Sequence, residues 1–231
     1  MTTSEFSQAF DTLISAYNDT TLGDKLSFNE YEKSVFLTKA QDELIVSFYS
    51  GKNSYNEGFE NTEEIRRYLS SLIETKELDE DKTSTLTKLT DQSHIYKLED
   101  NTWFITYEAI KITSEDSCLN GKSIEVVPIT QDDLHKLLKN PFKGPNNRRA
   151  LRLDLANNSV EIIYPLEGKY LVRYLKQTSP IIVDTLDESL DIKGKHKVTE
   201  CKLHEALHRT ILDRAVQLAV TSKIALNNIQ K

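Results

Sequence analysis

The sequence predicts an α+β protein: a helical bundle with an inserted antiparallel β domain. Apolar residues recur at helical spacing before residue 78 and after residue 201. Between these points lie short β-rich runs that are separated by turn residues. The predicted parts are the N-terminal bundle helices at 1–78, a β-rich domain with one short helix at 79–200, and a C-terminal bundle helix at 201–231.

Composition excludes several classes of protein. A net charge of -7 argues against a protein that binds nucleic acid through its phosphates. Cys118 and Cys201 are far apart, so they form no disulfide framework and indicate a reducing compartment. No apolar run approaches the ~20 residues that span a bilayer, and the acidic N-terminal residues do not resemble a secretory signal. No membrane partner is expected.

Two helices are predicted before residue 51. Residues 3–18 have helical spacing, and a loop is expected at 18–24. The next helix covers residues 27–51, where Ser27 and Glu30 have the spacing of a capping box and Gly51 suits a helix C-terminus. Its apolar residues follow two lines: Phe28, Tyr31 and Val35, then Leu37, Ala40, Leu44 and Phe48. Two lines indicate a helix covered on more than one side.

The remaining elements follow from local patterns. Apolar residues from Ile65 to Ile73 at i, i+3, i+4, i+7 and i+8 predict a helix at 62–77. A hairpin is predicted around the turn at 99–102, a strand at 123–129, and a short helix after Thr130 that ends before Pro141. Four further runs predict an antiparallel meander with one dry face: RRALRLDL, SVEIIYP, KYLVRYLKQ and PIIVDTL.

The last predicted helix contains the sequence H-E-x-x-H. On a helix, His204 and His208 would face the same side and bind zinc, while Glu205 would activate a water molecule. A catalytic zinc takes three protein ligands, but no histidine or glutamate follows His208, and only 23 residues remain after it. His196 or Cys201 could supply a third ligand only in an unusual order. We therefore interpret the three residues as polar borders of an amphipathic helix, and no metal is predicted.

A basic cluster stands out in this acidic chain. Arg148, Arg149 and Arg152 follow the segment NPFKGPNN. They are either a solvated strand edge or a docking contact for an acidic partner surface. Nucleotide-binding loops, nucleophile elbows and kinase signatures are absent from the sequence. No catalytic residue and no cofactor are predicted.

The chain resembles a structural protein of crAss-like bacteriophages, which infect gut Bacteroides and related bacteria. The resemblance covers nearly the whole chain after about residue 27. It rests on these segments in order: EYEKSVFLTKAQDELIVSFYSG, EEIRRYL, WFITYEAI, VPITQDDLHKLLKNPFKGPNNRRALRLD, VEIIYP, YLVRYLKQTSPIIV and CKLHEALHRTILDRAVQLA.

This resemblance implies a virion protein of the neck and tail, made in the host bacterial cytoplasm. Such a protein forms a ring, expected to be a dodecamer, that connects the portal to the tail and surrounds the DNA exit channel. The family offers no catalytic motif to transfer, and His204 and Glu205 lie outside its shared pattern. The expected partners are the portal, adjacent neck and tail proteins, and genomic DNA that passes without specific binding.

The leading hypothesis is a non-enzymatic ring subunit. Subunits of a ring meet head to tail through two different patches, and the apolar surplus of the helix at 27–51 suits one of them. The interface candidates are Phe36, Phe48, Arg148, Arg149 and Arg152. The alternatives are a zinc-dependent hydrolase that uses the HEALH sequence, and an assembly factor absent from the mature particle.

Overall fold

The computed structural model describes residues 1–21, 26–53, 57–114 and 117–229. The helices are α1 (Thr3–Thr21), α2 (Glu30–Ser50), α3 (Glu63–Tyr68), α4 (Leu134–Leu138) and α5 (His208–Ile229). The strands are β1 (Ile73–Leu78), β2 (Ser93–Lys97), β3 (Thr102–Ile112), β4 (Ser123–Pro128), β5 (Arg149–Asp154), β6 (Ser159–Ile163) and β7 (Gly168–Lys176). The predicted α+β class is confirmed. The loop predicted at 18–24 was wrong for residues 18–21, which belong to α1, and residues 22–24 lie outside the described residues.

The chain divides into two compact units. The helical unit contains residues 1–72 and 178–231, and the sheet unit contains residues 73–177. These bounds differ from the predicted 1–78, 79–200 and 201–231 in two segments. Residues 73–78 form a strand of the sheet, and the segment that follows residue 177 packs on α2.

Helix α2 begins two residues later than its predicted capping box. The N-cap is Asn29, whose Oδ1 accepts from the backbone N of Glu32 at 2.8 Å, while Glu32 Oε2 accepts from the backbone N of Asn29 at 3.0 Å. The prediction of Ser27 and Glu30 as the capping box was wrong. Asn29 and Glu32 have the same spacing and similar side-chain chemistry, so the sequence alone does not distinguish the two pairs. The predicted C-cap is confirmed: Gly51 has φ 74°, in the left-handed region.

One side of α2 is polar and buried. Ser34, Thr38 and Gln41 are almost completely inaccessible to solvent. Ser34 Oγ accepts from the backbone N of Val183 at 3.1 Å, and Gln41 Nε2 donates to the carbonyl of Ser179 at 3.0 Å. Thr38 Oγ1 accepts from the backbone N of Ile181 at 3.0 Å. The two apolar lines therefore describe α2 incompletely. A third, polar set of its side chains covers part of the segment at residues 179–183.

The same contacts explain a missing strand. PIIVDTL was predicted to extend a sheet, but its backbone groups near residue 181 bond with α2 side chains instead. Only an isolated bridge joins Ile182 to Thr199. The core of the helical unit includes Phe6, Phe10 and Ile14 of α1, Leu37, Ala40 and Ile45 of α2, and Ile211, Ala215 and Ala219 of α5.

The predicted helix at 62–77 was wrong after Tyr68. Helix α3 ends there, and Ile73–Leu78 pairs antiparallel with β7, with Ile73 opposite Leu175. The backbone hydrogen bonds between β1 and β7 override the helical preference that the apolar spacing indicates. A local sequence pattern is a weak preference compared with tertiary contacts. Of the apolar residues whose spacing predicted the longer helix, Ile65, Leu69 and Leu72 are buried.

The strand order in the sheet is β1-β7-β3-β4-β5-β6-β2. The predicted hairpin of β2 and β3 was wrong, since β2 pairs with β6 while β3 pairs with β4 and β7. Of the predicted antiparallel meander, the pairing of β5 with β6 is observed, with Asn157 and Asn158 both at φ 57° in the turn between them. The rest of the meander was wrong, since β6 pairs with β2, and β7 pairs with β1 and β3. Because β4 and β5 are parallel, the sheet is mixed rather than antiparallel.

The sheet curls around its own core. The rings of Tyr96 in β2 and Tyr170 in β7 lie 5.4 Å apart, although β7 is second and β2 last in the strand order. On the other face, α4 covers β5 through Leu134, which packs with Leu151 and Leu153. Ala150 belongs to the inner core. Both faces of β5 are therefore covered, and the predicted single dry face was wrong.

Candidate functional site

The HEALH residues do not lie on one continuous α-helix. His204 precedes α5 and caps a 3-10 turn at Glu205–Leu207, where its Nδ1 accepts from the backbone N of Ala206 at 3.3 Å. His208 is the first residue of α5. The predicted placement of all three residues inside the last helix was therefore wrong, and the side-by-side geometry of a zinc motif does not form.

Both ring nitrogens of His208 are engaged inside the helical unit. Nε2 lies 3.1 Å from the carbonyl oxygen of Leu203, and Nδ1 lies 2.7 Å from the amino nitrogen of Met1. The ring packs against Phe6, with centroids 5.4 Å apart. Burial lowers the pKa of His208 below its ordinary value, which favours a neutral imidazole. His208 is thus a packed core residue.

His204 has a different neighbour. Its ring lies 5.4 Å from the ring of Tyr68 in α3. Within the part of the chain that the structure describes, no group of three or more His, Cys, Asp or Glu side chains could hold a metal ion. The geometry gives the zinc hydrolase hypothesis no support.

Arg152, one of the interface candidates, points into the sheet unit. Its Nη1 donates to both carboxylate oxygens of Glu108, at 3.0 and 3.1 Å, and Tyr170 Oη donates to Glu108 Oε2 at 2.6 Å. The side chains of Arg152 and Glu108 are only 11% and 8% exposed. Burial raises the pKa of Glu108, against the opposing effects of Tyr170 and Arg152. This side chain stabilises the subunit and is not free for docking.

The other two arginines lie at the C-terminal end of a hydrogen-bonded loop at residues 139–148. Arg148 is exposed, and Arg149 at the start of β5 is half-buried. Asn140 Oδ1 accepts from the backbone N of Phe142 at 2.9 Å, and the Asn140 carbonyl accepts from the backbone N of Gly144 at 2.8 Å. These bonds hold Phe142 outward, where its surface is 86% exposed.

Gly144 makes this loop compact. A Cβ at this position would lie 2.9 Å from the carbonyl oxygen of Leu137 and 3.0 Å from that of Asn140. Real Cβ atoms do not approach backbone oxygens so closely without a shift of the chain. The loop therefore depends on glycine for its close return to the end of α4, rather than for a positive φ angle.

The candidate phenylalanines of α2 occupy different surroundings. Phe48 is only 7% exposed and packs near Tyr68, with ring centroids 6.5 Å apart, so it belongs to the core of the free subunit. Phe36 is half-buried and contacts the ring of Phe28 edge-on at 5.8 Å. Of these two candidates, Phe36 keeps accessible surface.

An apolar groove lies along α2. It has a volume of about 570 Å³, with Val35, Val46 and Ile192 among its lining residues. Val46 is 40% exposed. Its lining also includes charged side chains of both signs, Lys39, Asp42, Glu43 and Lys52. The two acids are ion-paired within the chain, Asp42 with Lys193 and Glu43 with Arg214. We call this surface the α2 groove.

Comparison with known proteins identifies the family. The whole chain, residues 1–231, matches the phage tail ring protein 3/4 family. The chain belongs to this family. It is 46% identical over 229 residues to ring protein 3 of Bacteroides phage crAss001, a match that covers 98% of each chain. It is also 31% identical over 229 residues to ring protein 4/5 of the same phage, covering 95% of this chain and 92% of the relative.

The predicted resemblance to crAss-like phage structural proteins is thereby confirmed. The family and its relatives are structural ring proteins of a phage, and the chain is a structural protein of a crAss-like phage virion rather than an enzyme. In the described ranges, no helix is both long and apolar enough to cross a bilayer.

Sequence reasoning found part of the exposed surface of this ring protein. It identified the basic loop through Arg148 and Arg149, but assigned no role to Phe142. The available signal was a phenylalanine between Pro141 and Lys143, in a segment of turn formers without a strand or helix to bury it. The α2 groove left no such signal, because Ile192 reaches it from a distant part of the chain.

Proposed function

We propose that this chain is a subunit of a ring in the phage neck that connects the portal to the tail. The observation that carries the proposal is the match of the entire chain to a tail ring protein family, with 46% identity to a relative named ring protein 3. Copies of the chain assemble into a dodecamer that matches the portal. The adjacent neck and tail proteins complete the connection.

The proposed action is assembly without catalysis. Helices α1, α2 and α5 act as the bundle that gives each subunit a rigid body, and the exposed residues make the contacts. Phe36, Arg148 and Arg149 are the interface candidates that retain accessible surface. A ring requires two unlike patches on each subunit, because identical patches close as a dimer.

The ring surrounds the channel through which genomic DNA leaves the capsid. Each copy carries a net charge of -7, so a ring concentrates negative charge around the channel. Such a field repels phosphates and lets DNA pass without specific binding. The subunits are made in the host bacterial cytoplasm and are then built into the virion.

Assembly is the first test. The full chain is expressed alone and together with its portal, and mass measurement and electron microscopy determine the assembled state. A dodecameric ring, alone or on the portal, is the expected result. A chain that stays monomeric under both conditions overturns the proposal. Mass spectrometry of purified virions then tests its place in the particle, since an assembly factor would be missing there.

The channel is tested by charge. An image of the assembled ring first identifies the acidic residues that face the lumen. These residues are then replaced by their amides, and DNA ejection is timed. We expect slower ejection because phosphates then adhere to the wall. The same number of acids on the outer surface is replaced as a control. Equal ejection times for lumen and control variants argue against an electrostatic role.

A further inference from the structure

A segment without helix or strand connects β1 to β2 in the sheet unit. It covers residues 79–92, all of which the structure describes, and none of its side chains is buried. Leu89 in this segment is 48% exposed. A connection of this length without its own secondary structure is uncommon in a compact domain and often has a function. Because apolar burial contributes little to it, polar bonds hold the segment in place. We call it the strap.

The strap lies on the outer edge of the sheet. β2 is the last strand in the order, and β6 pairs with only one of its sides. Backbone groups alternate between the two sides of a strand, and the N of Leu98 donates toward β6, to the carbonyl of Asn158. Residues 93, 95 and 97 therefore direct their backbone groups away from β6. The strap satisfies two of these carbonyls: that of residue 95 accepts from the backbone N of Asp81 at 2.8 Å, and that of residue 93 from Lys88 Nζ at 2.8 Å.

Glu161 in β6 provides the main acceptor for the strap. Its side chain is fully buried. Its Oε1 accepts from the backbone N of Leu89 at 2.9 Å and from that of Thr90 at 3.2 Å, and Ser93 Oγ donates to the same oxygen. Its Oε2 has no hydrogen-bond partner among the described residues. The hydrogen bonds of this carboxylate therefore go to the strap and to the first residue of β2, and bonds to a charged acceptor are the stronger kind.

We propose that the strap is a releasable cover of the β2 edge, and that Glu161 keeps it closed. Opening breaks the bonds at Oε1 and at the outward carbonyls of β2. It exposes no buried side chain of the strap, and it leaves the ladder between β2 and β6 in place. A segment with few buried contacts opens at a lower free energy than the whole fold unfolds.

The cover has a consequence for association. An uncovered edge strand presents unpaired N–H and C=O groups, with which a strand of another chain can pair. While the strap is closed, the outward carbonyls of Ser93 and Ile95 are occupied, and free subunits do not join through β2. An open strap makes this edge available to a strand of a second copy. The cover acts in the single subunit, so it does not rest on the proposed ring.

Hydrogen exchange of the wild-type chain tests whether the strap opens by itself. The amides of Asp81, Leu89 and Thr90 donate the bonds that opening breaks. They should exchange as a group and about tenfold or more faster than the amides in the ladder between β3 and β7. Equal rates for the two groups would show that the strap opens only when the sheet unfolds, which overturns the inference. This measurement needs no substitution.

Variants of Glu161 test what holds the strap. Glu161→Leu is similar in size but has no acceptor, so exchange at the amides of Leu89 and Thr90 should rise about tenfold or more. Glu161→Gln keeps an acceptor oxygen and should stay closer to wild type. Glu125→Leu is the matched control, since Glu125 is an exposed residue of β4.

Three results of these variants overturn the role of Glu161. The first is a rise for Glu125→Leu as large as that for Glu161→Leu, and the second is an equal rise for Glu161→Gln. The third is an equal rise at the amides between β3 and β7, because the substitution then loosens the whole sheet. Cleavage by trypsin after Lys88, located by mass spectrometry, should follow the exchange rates of the strap.

Association tests the cover itself. Glu161→Leu should form dimers or larger species at a lower concentration than wild type, as measured by light scattering. A second substitution, Lys97→Pro, removes an outward N–H from the edge and should abolish this gain. Lys97→Pro alone is the control and should associate like wild type. An open strap without a gain in association overturns the cover, and so does a gain that persists in the double variant. A wild-type chain that forms no ring overturns the proposed function and leaves this inference intact.

Discussion

Two regions of the molecule bury polar side chains in different ways. On α2, the neutral groups of Ser34, Thr38 and Gln41 bond to the backbone of an extended segment near Ile181. In the sheet unit, the charged groups of Glu108 and Arg152 bond to each other, with Tyr170 as a third member. We call the first region the α2 stripe and the second the Glu108 cluster.

The difference lies in what each region must satisfy. The α2 stripe supplies neutral partners to backbone groups that would otherwise need a neighbouring strand, so the segment can lie beside a helix. The Glu108 cluster removes two charges from water, which is favourable only while both remain paired. The loss of one member should therefore cost more in the cluster than in the stripe.

The largest expected effect is that of Arg152→Ala. It leaves Glu108 buried without its counter-ion, and a loss of about 3–5 kcal/mol in the free energy of unfolding is expected. Urea unfolding of the monomer measures this loss. Arg148→Ala is the matched control: Arg148 is exposed, and a change within about 0.5 kcal/mol is expected. Similar losses for both variants would remove the distinction between a buried and an exposed arginine in this segment.

The second prediction concerns the α2 stripe. Thr38→Val keeps the side-chain shape but removes the oxygen that accepts from the backbone N of Ile181, and a loss of about 1–3 kcal/mol is expected. Thr12→Val is the control, since the Thr12 hydroxyl is exposed and bonds within its own helix. The same urea titration serves both variants. A cost for Thr38→Val equal to that of Arg152→Ala breaks the comparison between neutral and charged partners.

Local signals predicted the elements that local contacts determine. Gly51 ends α2 through its own left-handed conformation, and Pro141 lies just beyond the end of α4. The apolar spacing of Phe6, Phe10 and Ile14 predicted α1, and those residues are buried. Each of these signals acts within one or two helical turns, which is the range over which a sequence pattern reports directly on structure.

These local signals did not predict which distant segments pair with each other. The hairpin of β2 and β3 was predicted because neighbouring strands commonly pair, but the curl of the sheet places them on different partners. Both polar regions were also hidden: Thr38 and Arg152 are surface residues by type, and only their partners at Ile181 and Glu108 make them interior ones.

The candidate surface shows the same limit. Arg148 and Arg149 could be found because charge is visible in a sequence, whereas the exposure of Phe142 depends on how Asn140 and Gly144 fold the loop. The HEALH sequence shows the converse. His208 matches a catalytic pattern, yet burial against Phe6 gives it a packing role.

The third prediction sets a scale for an exposed polar contact on the same helix as the α2 stripe. Asn29→Ala removes the N-cap of α2, and a loss of about 1 kcal/mol is expected. Ser27→Ala is the control, because Ser27 lies outside the observed capping box and should change stability by less than about 0.5 kcal/mol. A larger loss of stability for Ser27→Ala than for Asn29→Ala would show that Ser27 is the N-cap, as the sequence predicted. Thermal unfolding of the two variants decides between them.

The smallest expected effect is a difference in pH dependence between the two units. Burial lowers the folded pKa of His208, so the unfolded chain takes up this proton first as pH falls below 6.5, and the fold loses stability. Burial raises the folded pKa of Glu108, so the folded chain takes up that proton first, and the fold gains stability. The free energy of unfolding between pH 7 and 5 is measured for His208→Gln and Glu108→Gln. Relative to wild type, the first should lose less stability on acidification and the second should lose more. If both variants change the pH dependence of the free energy of unfolding in the same direction, the two buried groups do not have opposite effects on stability.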